Sequence, residues 1–196
     1  GCPRETTTVE NLHHPPAMGP PRRTKRHTAT VLVLDVVAYG RQVAADPDGT
    51  VAALQAGYRR IVRPLVTAHD GRVVKLMGDG VLAEFPFAHP ALRAAVAIQQ
   101  AFATPREAAL IRRPLQLRAG LHVGEVLGLD GDILGPTVNI AVRLEAAAPP
   151  GGILMSREVG DRVTAPAGAR LLDLGLIRLR HVEQPIHVVC AEIRPS

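Results

Sequence analysis

The chain contains no tryptophan, and aromatic residues make up only 3% of its 196 residues. Sheets that read single-stranded RNA stack bases on aromatic side chains. That absence, together with a missing K/R-G-F/Y pattern, excludes nucleic-acid recognition as the function, although the net charge is +5 and the pI about 10.0. No apolar run reaches the roughly 18 residues that a membrane-spanning helix needs, so no membrane span is expected. Cys2 and Cys190 are the only cysteines, too few for a disulfide framework. The first residues lack the apolar core of a secretory leader, and a cytoplasmic location is expected. What is present is a 46% hydrophobic composition, enough for one domain with its own core. The basic surface suits a polyanion, and a nucleoside triphosphate is one.

Residues 1–27 read as a flexible, Pro-rich, basic tail and residues 28–196 as a single domain. The tail carries Pro3, Pro15, Pro16, Pro20 and Pro21, a His13-His14 pair without further metal-ligand spacing, and a basic cluster from Arg22 to His27. Residues 28–35 are β-branched and apolar, the pattern of a buried strand. Asp46-Pro47 opens a helix, in which Gly57 and Pro64 predict a kink or an early end. Residues 72–76 and 81–85 read as a hairpin around Met77-Gly78-Asp79-Gly80. A second helix follows from Pro90 to about residue 103, then a strand over 115–123. The order β-α-β-β-α-β is that of a ferredoxin-like core, so the fold class is α+β. Residues 124–131 form a glycine-spaced arm or loop, 137–147 a third helix, and the remaining residues additional C-terminal α/β elements.

Asp35 ends an apolar strand, where a carboxylate is out of place in a core. In a ferredoxin-like sheet the first strand lies antiparallel to the third, so the turn bearing Asp79 falls beside Asp35. Two carboxylates at one sheet end repel unless a cation joins them, and Mg²⁺ takes one or two carboxylates plus substrate phosphates. Asn139 and Arg143, four apart, share one helix face. An amide and a guanidinium side by side suit a sugar oxygen and a phosphate, although such a pair is also what a solvated helix face presents. Lys75 and Asp132 are unremarkable taken singly.

Four runs, VLDVVAY at 33–39, VKLMGDG at 74–80, GLHVGEV at 120–126 and DILGPTVNIAVRLE at 132–145, resemble the catalytic domains of the class III adenylate and guanylate cyclases. The resemblance spans roughly residues 28–193. It implies the class III nucleotidyl cyclase fold and, at matching positions, a set of roles. Asp35 and Asp79, with the carbonyl of Val36, would hold two Mg²⁺ or Mn²⁺ ions. Backbone amides of Val37, Ala38 and Tyr39 would cradle the triphosphate. Lys75 and Asp132 would read the base, a pair that favours ATP over GTP. Asn139 would orient the ribose, and Arg143 would stabilise the α-phosphate. The resemblance further implies a homodimer with two sites at the interface, one chain supplying the aspartates and the other the remaining side chains. A guanylate cyclase, or a catalytically weak nucleotide-binding module of the same fold, is the alternative. Three positions depart from the family pattern: Ala38 replaces a usual glycine, Gly40 a hydroxyl residue and Leu134 an aromatic.

Overall fold

The computed structural model describes residues 24–106, 109 and 114–194; residues 1–23, with the His13-His14 pair and most of the expected tail, lie outside the described residues. Strand β1 runs Lys25–Val36 and so begins three residues before the expected start. Lys25, Arg26 and His27 look like tail because they lack apolar character. Their backbones nevertheless pair with Gly128, Leu127 and Val126, and Arg26 meets Glu125 in an exposed ion pair at 2.5 Å. A short helix that the apolar periodicity does not signal, α1 (Tyr39–Ala45), follows.

Helix α2 (Pro47–Gly57) is capped by Asp46, whose side chain accepts from Gly49 N at 3.0 Å. It continues through a five-residue π turn, Tyr58–Val62, into α3 (Arg63–Ala68). The expected kink therefore takes the form of a widened turn. Pro64 has no N–H to give, and just before it the ladder stretches, the Arg63 N–H reaching the Tyr58 carbonyl. Then come β2 (Arg72–Met77) and β3 (Gly80–Phe85), α4 (Ala88–Ala103), β4 (Leu117–Leu129), β5 (Asp132–Leu134) and α5 (Pro136–Ala147). The chain closes with β6 (Ile153–Ser156), α6 (Arg157–Gly160), β7 (Ala169–Ile177) and β8 (Ile186–Ile193). Residues 124–129, expected as an arm or loop, are strand: β4 pairs along the whole of β1 and turns back into β5.

The sheet has the order β2-β3-β1-β4-β6-β8-β7, with β5 on β4. Its first four members reproduce the ferredoxin-like arrangement, β1 lying antiparallel to both β3 and β4. Alternation along β1 divides the core. Leu32, Leu34 and Val36 join the cluster built with α2, α3 and α4, including Leu92, Ile98 and Phe102. Ala29, Val31 and Val33 face the opposite side, where Leu82, Val126, Ile133 and Ala141 lie. The β1–β4 ribbon runs past the last β3 pair, Thr30 with Phe85, and its tip joins this second cluster. Arg72 pins the tip, donating to Gly131 O at 2.8 Å and to Glu84 Oε1 at 2.7 Å.

Helix α5 presses on β4 at Gly120. A Cβ there would lie 2.2 Å from the Ala141 carbonyl oxygen and 2.3 Å from Glu145 N, so only glycine allows this approach. Gly120→Ala is expected to cost about 2 kcal/mol or more of unfolding free energy, the scale of an overpacked core, read as a lowered urea midpoint with an unchanged m-value.

Candidate active site

Register brings the first pair of carboxyl groups together. Leu34 pairs with Val81 and Met77 with Gly80, so the β2–β3 turn ends beside the last residues of β1. Gly78 holds that turn at φ 67°. At Gly80 a Cβ would sit 2.9 Å from the Leu34 carbonyl oxygen and 3.6 Å from Asp35 Oδ1, so the absent side chain is what allows the approach. Burial, then the charge of Asp35 beside it, pushes the Asp79 carboxyl above its ordinary range, while backbone N–H groups of Asp79 itself and Val36 oppose the shift.

Two further charges crowd the same corner. Arg118, directly across from Asp35 in the β1–β4 register, donates from Nη2 to Asp35 Oδ2 at 2.8 Å. Its Nη1 reaches Ala146 O at 3.4 Å. Its Nε lies 3.2 Å from Glu145 Oε1, yet neither of those two buried atoms makes a hydrogen bond. Glu145 is only 6% exposed. Burial first, then Asp35 and Asp79, push its carboxyl up to about 7, with Arg118 pulling the other way. Sequence reading missed Arg118. The signal was its place in β4 between Leu117 and Ala119: the alternate face it occupies is the one that α5 covers, so a charge there needs a partner.

Lys75 and Asp132 meet on the second face of the sheet. Val73 pairs with Ala83 but Lys75 with Leu82, so Val74 is an extra residue on β2. Beyond this bulge, counted back regularly from the turn, Lys75 stands on the side of Leu82, where Lys75 Nζ donates to Asp132 Oδ2 at 2.7 Å. That hydrogen bond, first among the causes, holds the Asp132 carboxyl below the ordinary range. Asp132 opens β5.

Asn139 and Arg143 stand on the other side of α5 from Glu145. At about 100° per residue, Arg143 points roughly 160° away from Glu145, and Asn139 lies within about 40° of Arg143. Thr137, Ala141, Leu144 and Glu145 are the buried residues of this helix; Asn139 is exposed and Arg143 half-exposed. Neither side chain forms a hydrogen bond or ion pair among the described residues. The structure thus brings Asp35 and Asp79 together, and Lys75 and Asp132 together, but turns Asn139 and Arg143 away from the aspartates of their own chain.

The segment after β1 changes one expectation. The Val37 N–H donates to the Gln116 carbonyl at 2.8 Å and is not free for a phosphate, because β1 keeps one more backbone bond to the chain leading into β4. The Ala38 and Tyr39 amides make no such bond among the described residues. Ala38 adopts φ 56°, ψ 32°, the left-handed region that costs a residue with a Cβ about 1–2 kcal/mol. Leu134 is 42% exposed. His122 donates to or accepts from Ser156 Oγ at 2.7 Å, a tie between β4 and β6, and burial lowers its pKa.

The corner suits a hard divalent cation. No group of three or more His, Cys, Asp or Glu side chains is arranged to hold a metal among the described residues. Two adjacent carboxyl groups, Asp35 and an Asp79 whose proton affinity is raised, in a turn kept open by Gly80, are nonetheless the donor set expected of an ion whose other ligands are phosphate oxygens and water.

Comparison with known proteins places the chain in a family. The model of the adenylate and guanylate cyclase catalytic domain matches residues 22–184. A Rhizobium meliloti protein named "Putative adenylate cyclase 3" is 36% identical over 164 residues, 84% of this chain and 28% of that protein. A crystal structure of an "Adenylate/Guanylate Cyclase/Hydrolase" from Silicibacter pomeroyi superposes with a TM-score of 0.74 at 33% identity, covering 89% of this chain and 100% of that one. The P. aeruginosa adenylyl cyclase CyaB shares the fold, with a TM-score of 0.69 at 21% identity over 88% of this chain and 97% of that one. The chain belongs to the adenylate and guanylate cyclase catalytic-domain family, the class III nucleotidyl cyclases. It spans 28% of the length of the Rhizobium relative and 53% of a Mycobacterium tuberculosis relative. Among the described residues no helix is long and apolar enough to cross a membrane.

Glu145 gives the metal-free protein a testable pH dependence. Its folded pKa of about 7 lies above the ordinary 4.5, so between those values the folded chain binds a proton that the unfolded chain has released. Stability is therefore full below about pH 4.5 and falls as pH rises through 7, by up to about 3 kcal/mol. Urea unfolding in EDTA from pH 5 to 8 is expected to show this decline, and Glu145→Gln to remove most of it.

Proposed function

We propose that this domain is an adenylate cyclase, converting ATP to 3′,5′-cyclic AMP and pyrophosphate. The observation that carries the choice of ATP is the Lys75–Asp132 pair at 2.7 Å. It offers a cationic donor beside a carboxylate acceptor, complementary to adenine N1 and the 6-amino group; guanine presents the reverse polarity at those ring positions. In the absence of a base the two side chains satisfy one another, so neither is left unpaired.

Asp35 and Asp79, with the Val36 carbonyl, would hold two Mg²⁺ or Mn²⁺ ions. Such ions supply acidification of the ribose 3′-hydroxyl and charge neutralisation at the phosphates. Asn139 fixes the ribose so that its 3′-oxygen lies in line with the α-phosphorus. The bond from that oxygen to phosphorus forms, the bond to the β-phosphate oxygen breaks, and the hydroxyl proton passes to solvent. Arg143 offsets the charge that grows on the α-phosphate oxygens. Arg118, already beside Asp35, adds a cation for the triphosphate, and the Ala38 and Tyr39 amides add donors.

The outward projection of Asn139 and Arg143 supports a site shared between two chains. A head-to-tail homodimer places α5 of one chain over the aspartates of the other, with two equivalent sites.

The test is product analysis by chromatography after incubating the dimeric domain with ATP or GTP and Mg²⁺ or Mn²⁺. Cyclic AMP from ATP is expected, and Asp35→Ala is expected to abolish it. Cyclic GMP as the main product would overturn the adenine assignment. Absence of product with either ion would leave a nucleotide-binding module. Equal mixing of Asp35→Ala and Arg143→Ala chains is expected to restore about a quarter of wild-type activity, since half the dimers are mixed and each has one intact site. No recovery on mixing would rule out the shared site.

A further inference from the structure

Arg118 has two carboxylates within reach and is hydrogen-bonded to only one. Nη2 holds Asp35 Oδ2 at 2.8 Å, while Nε and Glu145 Oε1 face each other at 3.2 Å with no hydrogen bond to either atom. An unmade bond between a buried cationic donor and a buried carboxylate is costly, and native structures rarely leave one without a reason. The close packing of α5 on β4 at Gly120, where Glu145 N would be 2.3 Å from a Cβ, fixes Glu145 in this position. A small rotation of the guanidinium would complete the missing bond.

Asp35 faces a conflict if it binds a divalent ion, a point that rests on the reading of Asp35 as a metal ligand. Cation and guanidinium then compete for the same carboxylate. We infer that Glu145 is a positioning residue that receives Arg118 when a divalent ion takes Asp35, so that Arg118 moves between two carboxylates instead of blocking the site or losing its partner. Removal of Glu145's charge leaves Arg118 with Asp35 alone, and the ion must then displace it unaided. Removal of Arg118 leaves Glu145 with nothing to receive.

The probe is Mn²⁺ without nucleotide, titrated at pH 8 into the purified wild-type chain, Asp35→Ala, Glu145→Gln, Arg118→Met and the Glu145→Gln/Arg118→Met double variant, with free Mn²⁺ read by EPR. The wild type is expected to bind and Asp35→Ala to lose that binding. Glu145→Gln is expected to weaken Mn²⁺ by about tenfold, the scale of one lost charge-assisted bond, and Arg118→Met to tighten it several-fold. In the Arg118→Met background the Glu145 substitution is expected to matter by less than about threefold. Equal weakening in both backgrounds would mean that Glu145 acts by its own charge on the ion, and no weakening in either would mean that it does not act; each result overturns the inference while leaving the metal reading intact. Wild-type chain that binds no Mn²⁺, or binding that survives Asp35→Ala, removes both.

A second measurement needs no variant at Glu145. In ¹⁵N-arginine-labelled wild type, the Arg118 Nε–H resonance, assigned by its absence from Arg118→Met, is expected to exchange more slowly with water once Mg²⁺ is added. Exchange unchanged by saturating Mg²⁺ overturns the proposal.

Discussion

Repulsion among three carboxyl groups at one corner of the sheet is the constraint on which the rest of the site depends. Asp35, Asp79 and Glu145 converge there, and Arg118 is the guanidinium among them. Each arrives by a different structural route: Asp35 by the alternation of β1, Asp79 by a tight turn, and Glu145 on the inner face of a helix. Glycines at 80 and 120 remove the side chains that would keep those routes apart. Burial first, and then the neighbouring carboxylates, raise the proton affinities of Asp79 and Glu145, the kind of perturbation that clusters at functional sites.

Helix α5 divides the chemistry in two. Its inner face carries Ala141 and Leu144 for the core and Glu145 for the charged corner. Its outer face carries Asn139 and Arg143, which make no hydrogen bond or ion pair in their own chain among the described residues. One twelve-residue helix therefore belongs to two environments, and its angular spacing keeps them apart. The same separation is what supports the proposed site shared between two chains.

Much of this was legible in the sequence because it depends on local patterns. The alternation in β1 and the glycine-flanked turn place Asp35 beside Asp79 once the ferredoxin-like order is recognised. The Asn139–Arg143 pair follows from helical spacing alone. What could not be read depends on register across strands distant in sequence. Arg118 meets Asp35 from 83 residues away, through a pairing that no local pattern reveals. The pairing of Lys25 to His27 with β4 is hidden for the same reason: basic residues without apolar periodicity read as tail until a partner strand is known. The commitment of the Val37 N–H to Gln116, and hence the narrower set of free amides, also requires knowing where β4 begins.

The bulge at Val74 has a consequence for how this family member tolerates change. Counted back from the β2–β3 turn, Lys75 pairs with Leu82, and the extra residue Val74 comes next, before Val73 pairs with Ala83. Loss of Leu76, between Lys75 and the turn, would be absorbed by that extra residue: Val74 would come opposite Leu82, on the side of Asp132, and Lys75 opposite Val81, toward the layer of α2, α3 and α4. The Lys75–Asp132 contact is therefore sensitive to the length of β2 as much as to its residues. A one-codon deletion at Leu76 would therefore disturb the proposed base-reading pair even though every side chain named in the site is still encoded.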